Sequence, residues 1–170
     1  ADLKTGLDDA KNSGATIQTN SWGGGCPSGY TLNAQQVDKF LYENPEFTVL
    51  FAAGNHFNCS GNVVASRPIA SLLSPGVAKN TITVGATENL RPTRGTNANN
   101  INQMASFSST GPVVGDNRLK PDISAPGTHI FSTRSSICEP HQPPYRRFNP
   151  PGLGVVFGDG SRYRINSNAV

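Results

Sequence analysis

Leu3, Leu7 and Ala10 recur at helical spacing and Asn12-Ser13-Gly14 follows as a stop signal, so residues 1–14 predict an amphipathic helix. Residues 15–20 read as a strand ended by Gly23-Gly24-Gly25. A second helix is expected from about Asn33, taken as its N-cap, with Val37, Phe40 and Leu41 on one face and a stop before Pro45. The apolar run 47–53 predicts a strand buried on both faces of a parallel sheet, and Gly54-Asn55 ends it. Residues 81–86 and 122–125 are the next strand candidates. Helices alternating with strands through short links predict an α/β fold with a mostly parallel sheet. Such sheets bind ligands beyond the carboxyl ends of their strands. Two of those ends are Ser21-Trp22-Gly23 and Ala53-Gly54-Asn55, so both loops should share one rim, and the chemistry is expected there.

From Cys138 onward the pattern changes. Residues 138–170 hold five of the thirteen prolines, four arginines and four glycines, and they read as a long loop or insertion following a domain over residues 1–137. The 170 residues amount to one domain or a large piece of one. Counted with glycine, the apolar share is roughly 44%, enough for a packed core and against wholesale disorder. No run approaches the ~18–20 apolar residues of a membrane span, so a membrane protein is not expected.

The net charge of +3 is unevenly spread. Three lysines face six acids in residues 1–60, whereas eleven basic residues face five acids in residues 61–170. The basic residues are scattered and lack an interleaved aromatic stripe, so a solvated surface is favoured over nucleic-acid binding. Cys26, Cys59 and Cys138 have no metal-ligand spacing; one disulfide with an orphan and three free thiols both remain open, with Cys26–Cys59 as the candidate bridge between the two rim loops. Asn58-Cys59-Ser60 is a lone glycosylation sequon.

Asn55 is the first candidate for chemistry. An amide at the end of a buried parallel strand can donate to a developing oxyanion; a turn-forming Asn after Gly is the plainer reading of the motif alone. Gly152-Leu153-Gly154-Val155-Val156-Phe157-Gly158 looks faintly like a dinucleotide fingerprint, but its third glycine is one place late and no strand-then-helix context surrounds it. His56, His129 and His141 lie in apparent loops without the spacing of a helical zinc pair.

Five segments in order resemble the subtilisin-like serine endopeptidases, the subtilases: Thr19-Asn20-Ser21-Trp22-Gly23, Phe51-Ala52-Ala53-Gly54-Asn55, the stretch 74–86 opening Ser74-Pro75-Gly76, the stretch 105–112 opening Ala105-Ser106-Phe107, and Lys120-Pro121-Asp122-Ile123-Ser124-Ala125-Pro126-Gly127. The stretch 86–92 looks closest to the long-chain, alkaline, oxidation-tolerant bacterial branch. The resemblance covers roughly residues 1–136. It implies a three-layer α/β fold, a secreted enzyme and a polypeptide substrate. It makes Asn55 the oxyanion-hole side chain. It makes Ser21, Trp22 and Gly23 one backbone wall and Ala52, Ala53 and Gly54 the other, with the substrate side chain before the scissile bond (P1) between them. Ser74-Pro75 falls where the family often has a cis peptide, and Leu73 falls near the pocket floor, where a leucine implies a shallow pocket and medium apolar P1 residues. No cofactor is implied; calcium is common in the family, but no acidic loop here has a recognisable ligand set, and no metal site is assigned.

Neither the Asp-Thr-Gly nor the His-Gly-Thr-His motif of the family, nor the Gly-Thr-Ser-Met of its nucleophile, occurs in the 170 residues. The expectation is therefore a partial catalytic domain, an internal fragment that needs flanking segments for activity and is itself inactive, with exposed apolar sheet surface and poor solubility. The alternative is a non-catalytic chain of the same fold that binds a peptide or partner in the retained groove.

Overall fold

The computed structural model describes residues 3–25, 29–55 and 70–130, together with the backbone strands Val63–Val64 and Arg67–Pro68. In chain order the elements are α1 (Leu3–Asn12), β1 (Ile17–Asn20), α2 (Leu32–Glu43), β2 (Thr48–Ala52), β3 (Val63–Val64), β4 (Arg67–Pro68), β5 (Ile82–Thr87) and β6 (Ile123–Pro126), with two short 3₁₀ turns between β5 and β6. Strands β1-β2-β5-β6 form one sheet in that order, every neighbouring pair parallel. β3 and β4 make a separate antiparallel pair. The α/β class and the parallel sheet expected from the pattern are both present.

Leu7 of α1 and Ala34, Val37, Phe40 and Leu41 of α2 pack with Val49 and Phe51 of β2, so both helices cover the same face of the sheet. The Phe40 and Phe47 rings meet edge to face at 5.3 Å. Asn44 closes α2, donating to the Phe40 carbonyl at 2.7 Å and accepting from Lys11 at the end of α1. Gly14, with φ +85°, turns the chain out of α1 in the left-handed region where glycine carries no steric penalty.

Two expectations are corrected. The N-cap of α2 is Thr31, not Asn33: its extended backbone lets the hydroxyl accept from the Ala34 N–H. Strand β2 is not buried on both faces. Val49, Phe51 and Ala52 are buried, but Thr48 and Leu50 are only half-buried. They point to the side opposite the helices, where Ile17 and Ile123 are also more than half exposed. Among the described residues, then, the helices fill one side of the sheet and the other side is open.

The strand ends are tied by buried polar groups. Lys120, its side chain 3% exposed, donates to the Thr81 carbonyl at 2.8 Å and to Asp122 at 2.7 Å, and Asp122 also accepts from the Thr83 N–H at 2.6 Å. Glu88, buried just after β5, accepts from the N–H groups of Asn99 and Asn100 and so gathers the long β5–β6 connection. The 137/138 boundary lies outside the described residues.

Candidate active site

The register Asn20↔Phe51 aligns the carboxyl ends of β1 and β2. The two loops singled out from the sequence therefore leave the sheet side by side on one rim. Trp22, 43% exposed, stands edge-on to Phe51 at 5.4 Å, and its indole N–H reaches Asn20 Oδ1 at 3.2 Å. Asn20 is buried and donates through Nδ2 to the Leu50 carbonyl at 3.3 Å, so one asparagine ties the first loop to β2.

Consecutive residues Leu73 and Ser74 join the two loops. Leu73 N–H donates to the Ala53 carbonyl at 3.1 Å. Ser74 exchanges both backbone bonds with Gly24, at 2.9 and 3.1 Å, and its hydroxyl meets that of Thr31 at the N-cap of α2. The Ser74-Pro75 peptide is cis. Leu73 is buried between the loops: a Cβ on Gly23 would lie 3.0 Å from Leu73 Cβ, and one on Gly54 would lie 2.8 Å from Leu73 Cγ. Both glycines thus give the leucine its room.

Gly54 has φ +121°, and Ala53 before it is fully buried, with its N–H on the Val84 carbonyl at 2.9 Å. Asn55 follows, half-buried, and its Oδ1 is shielded from solvent with no hydrogen-bond partner among the described residues. Beneath Ser21 and Ala52 the open sheet face holds a hollow of about 230 Å³, lined by Thr19, Asn20, Ser21, Leu50, Phe51, Ala52 and Val84. Its lining includes Ser21 and Ala52 but not Gly23, Gly54 or Leu73.

The structure thus brings Ser21, Trp22, Gly23, Ala52, Ala53, Gly54, Asn55 and Leu73 into one neighbourhood. His129 takes a left-handed backbone, φ +48°, just beyond β6. His56, His141, the three cysteines, the sequon and the glycine-rich stretch 152–158 lie outside the described residues. Among the described residues no three His, Cys, Asp or Glu side chains group as metal ligands, and no helix is long and apolar enough to cross a membrane. Sequence reasoning missed two contributors. Thr31 and Ser109 reach this neighbourhood from 43 and 55 residues away from their partners Ser74 and Gly54; Thr31 is a cap-type residue and Ser109 lies in the stretch 105–112, but neither signal names the partner.

A second polar cluster lies around Tyr30. Its hydroxyl donates to buried Asp38 at 2.8 Å, and Lys79 and Arg118 stand over its ring at 5.0 and 5.9 Å. Burial, then the bond to Asp38, pushes the phenol up to about 12. Asp116, in contrast, is held below the ordinary carboxylate range by hydrogen bonds from Arg118.

Residues 1–149 match the Subtilase family model. Over 74% of this chain, a serine protease/ABC transporter B family protein, tagB of Dictyostelium discoideum, is 31% identical, and the matched part is 9% of that protein. Serine protease AprX of Bacillus subtilis is 45% identical over 65 residues, 38% of this chain and 14% of that protein. Of solved structures, the PatG macrocyclase in complex with peptide superposes with TM-score 0.50 at 24% identity, covering 79% of this chain and 32% of that one. The S41 psychrophilic protease does so with TM-score 0.50 at 24% identity, covering 77% and 38%. At these identities the structures speak for the fold. The chain spans no more than about a seventh of these two curated relatives.

Proposed function

This chain belongs to the subtilase family, and from that premise we propose that it carries the substrate groove and the oxyanion-binding amide of a secreted serine endopeptidase. The observation that supports this best is the juxtaposition itself. Two glycine-bearing loops leave neighbouring parallel strands, buried Leu73 packs against both, and Asn55 stands at the end of one of them. A peptide laid between the loops would add a strand to Ser21-Trp22-Gly23 through backbone bonds. Its P1 side chain would enter between Gly23 and Gly54 and meet Leu73. The Asn55 amide would donate to the oxygen that becomes negative when a serine attacks the scissile carbonyl, and such a donor matters because it stabilises charge present only in the transition state. The serine nucleophile, its histidine and its aspartate are assigned to no residue of this chain. No cofactor enters the proposal, and calcium has no assigned site. The stretch 86–92 supports placing the chain in the long-chain alkaline branch.

The test is made on the full-length protein with peptide substrates that differ at P1. Leu73 fills the floor, so Leu substrates should be cleaved faster than Phe substrates; the reverse order overturns the shallow pocket. Asn55→Ala should lower kcat about 10²–10³-fold with little change in KM, a magnitude measured on a subtilisin and carried over to its relative here. An unchanged kcat removes Asn55 from the chemistry. A full-length protein that binds peptides and cleaves none supports the non-catalytic alternative.

A further inference from the structure

We propose that Ser109 is the positioning residue for Asn55, an inference that rests on the oxyanion reading above. The Asn55 carboxamide oxygen has no hydrogen-bond partner among the described residues, so no bond at that atom fixes the side chain and the placement of its backbone gains weight. That backbone is held at the preceding peptide. Ser109 N–H donates to the Gly54 carbonyl at 2.9 Å, and the carbonyl shares one rigid plane with the Asn55 nitrogen and Cα. Fixing the first therefore fixes the second.

The Ser109 side chain acts on the same peptide. It is fully buried, and a Cβ built on Gly54 would fall 2.6 Å from its Oγ, so the hydroxyl occupies the space against Gly54. Gly54 sits at φ +121°, a conformation open to glycine and held here from outside. Ser109 is itself anchored on both sides. Ser108 Oγ accepts from the Ala86 N–H of β5 at 3.0 Å, and Thr110 N–H donates to Ser71 Oγ at 3.0 Å. Leu73 holds the Ala53 carbonyl one residue earlier. The loop bearing Asn55 is thus clamped at two successive carbonyls by two rigid segments.

The experiment compares kcat and KM of the full-length protein on one peptide substrate in four forms: parent, Asn55→Ala, Ser109→Val and the double variant. Valine crowds Gly54 and should displace the 54–55 peptide, lowering kcat about tenfold with KM within about twofold. In the Asn55→Ala background the same change should cost less than about twofold, because the group it positions is gone. Equal losses in both backgrounds, or a loss carried by KM, overturn the role of Ser109 and leave the Asn55 reading standing. An Asn55→Ala protein with parental kcat, or a parent without activity, overturns the Asn55 reading and the inference with it. Ser109→Ala cannot overpack and covers the case in which valine prevents folding. It keeps the backbone bond but frees Gly54, and should lose about threefold in kcat, again only while Asn55 is present; no loss overturns the proposal.

Discussion

Gly54 carries more constraint than any other residue of the rim. Its φ of +121° is strained for any side chain, and a Cβ there would overlap Ser109 Oγ and Leu73 Cγ. Backbone strain and overpacking each cost about 1–3 kcal/mol. Gly54→Ala should therefore destabilise the full-length protein by at least about 2 kcal/mol in urea denaturation, and an unchanged midpoint would show that the loop relaxes freely. The sequence marked the end of the strand at Gly54-Asn55 from the turn chemistry of those residues. It could not show the sign of φ or the serine 55 residues away that occupies the missing side chain's place. Lys120 teaches the same lesson: a lysine reads as surface until the fold brings the Thr81 carbonyl and Asp122 to its ammonium group.

The element most exposed to misreading was α2. Both Thr31 and Asn33 are residues that cap helices, and the periodicity of Val37, Phe40 and Leu41 does not choose between them. The choice falls to Thr31 because its hydroxyl reaches Ala34 N–H and also meets Ser74, which ties the helix start to the strand-like segment bridging the two rim loops. Thr31→Ala should cost about 1 kcal/mol in thermal or urea unfolding, whereas Asn33→Ala, at an exposed helical position, should stay within about 0.5 kcal/mol. Comparable losses at both positions would mean that the cap is shared. For β2, the apolar run predicted the strand to within a residue at each end. Burial on both sides depended on what covers the far face, which the run cannot encode.

Across the whole molecule, charge and burial converge at Tyr30, where the loop after β1, α2 and the segments carrying Lys79 and Arg118 meet. The phenol is raised from 10.0 to about 12, first by burial and then by its bond to Asp38. A raised pKa means that the folded protein keeps a proton which the unfolded chain releases from about pH 10. The contribution is complete below that pH and is lost as pH rises through about 12. Thermal melts of the full-length protein and of Tyr30→Phe should differ by a constant amount up to about pH 10, and the difference should shrink toward pH 12. A difference that does not change over this range would sink the assignment. The residue is 40% exposed, so the effect is smaller than the shift alone suggests.

Periodicity, strand-ending glycines and short links determined, by local physics, that this chain builds parallel βαβ units, and that Ser21-Trp22-Gly23 and Ala53-Gly54-Asn55 leave the same edge. Alternation and chain direction are properties of neighbouring residues, and a parallel crossover leaves little choice of topology. Tertiary structure alone decided which distant groups hold those loops: Leu73 on Ala53, Ser74 on Gly24 and Thr31, Ser109 on Gly54. These contacts join residues 20 to 55 positions apart, and except for the Ser74–Thr31 hydroxyl pair they run through backbone groups that every residue carries, so no local pattern announces them.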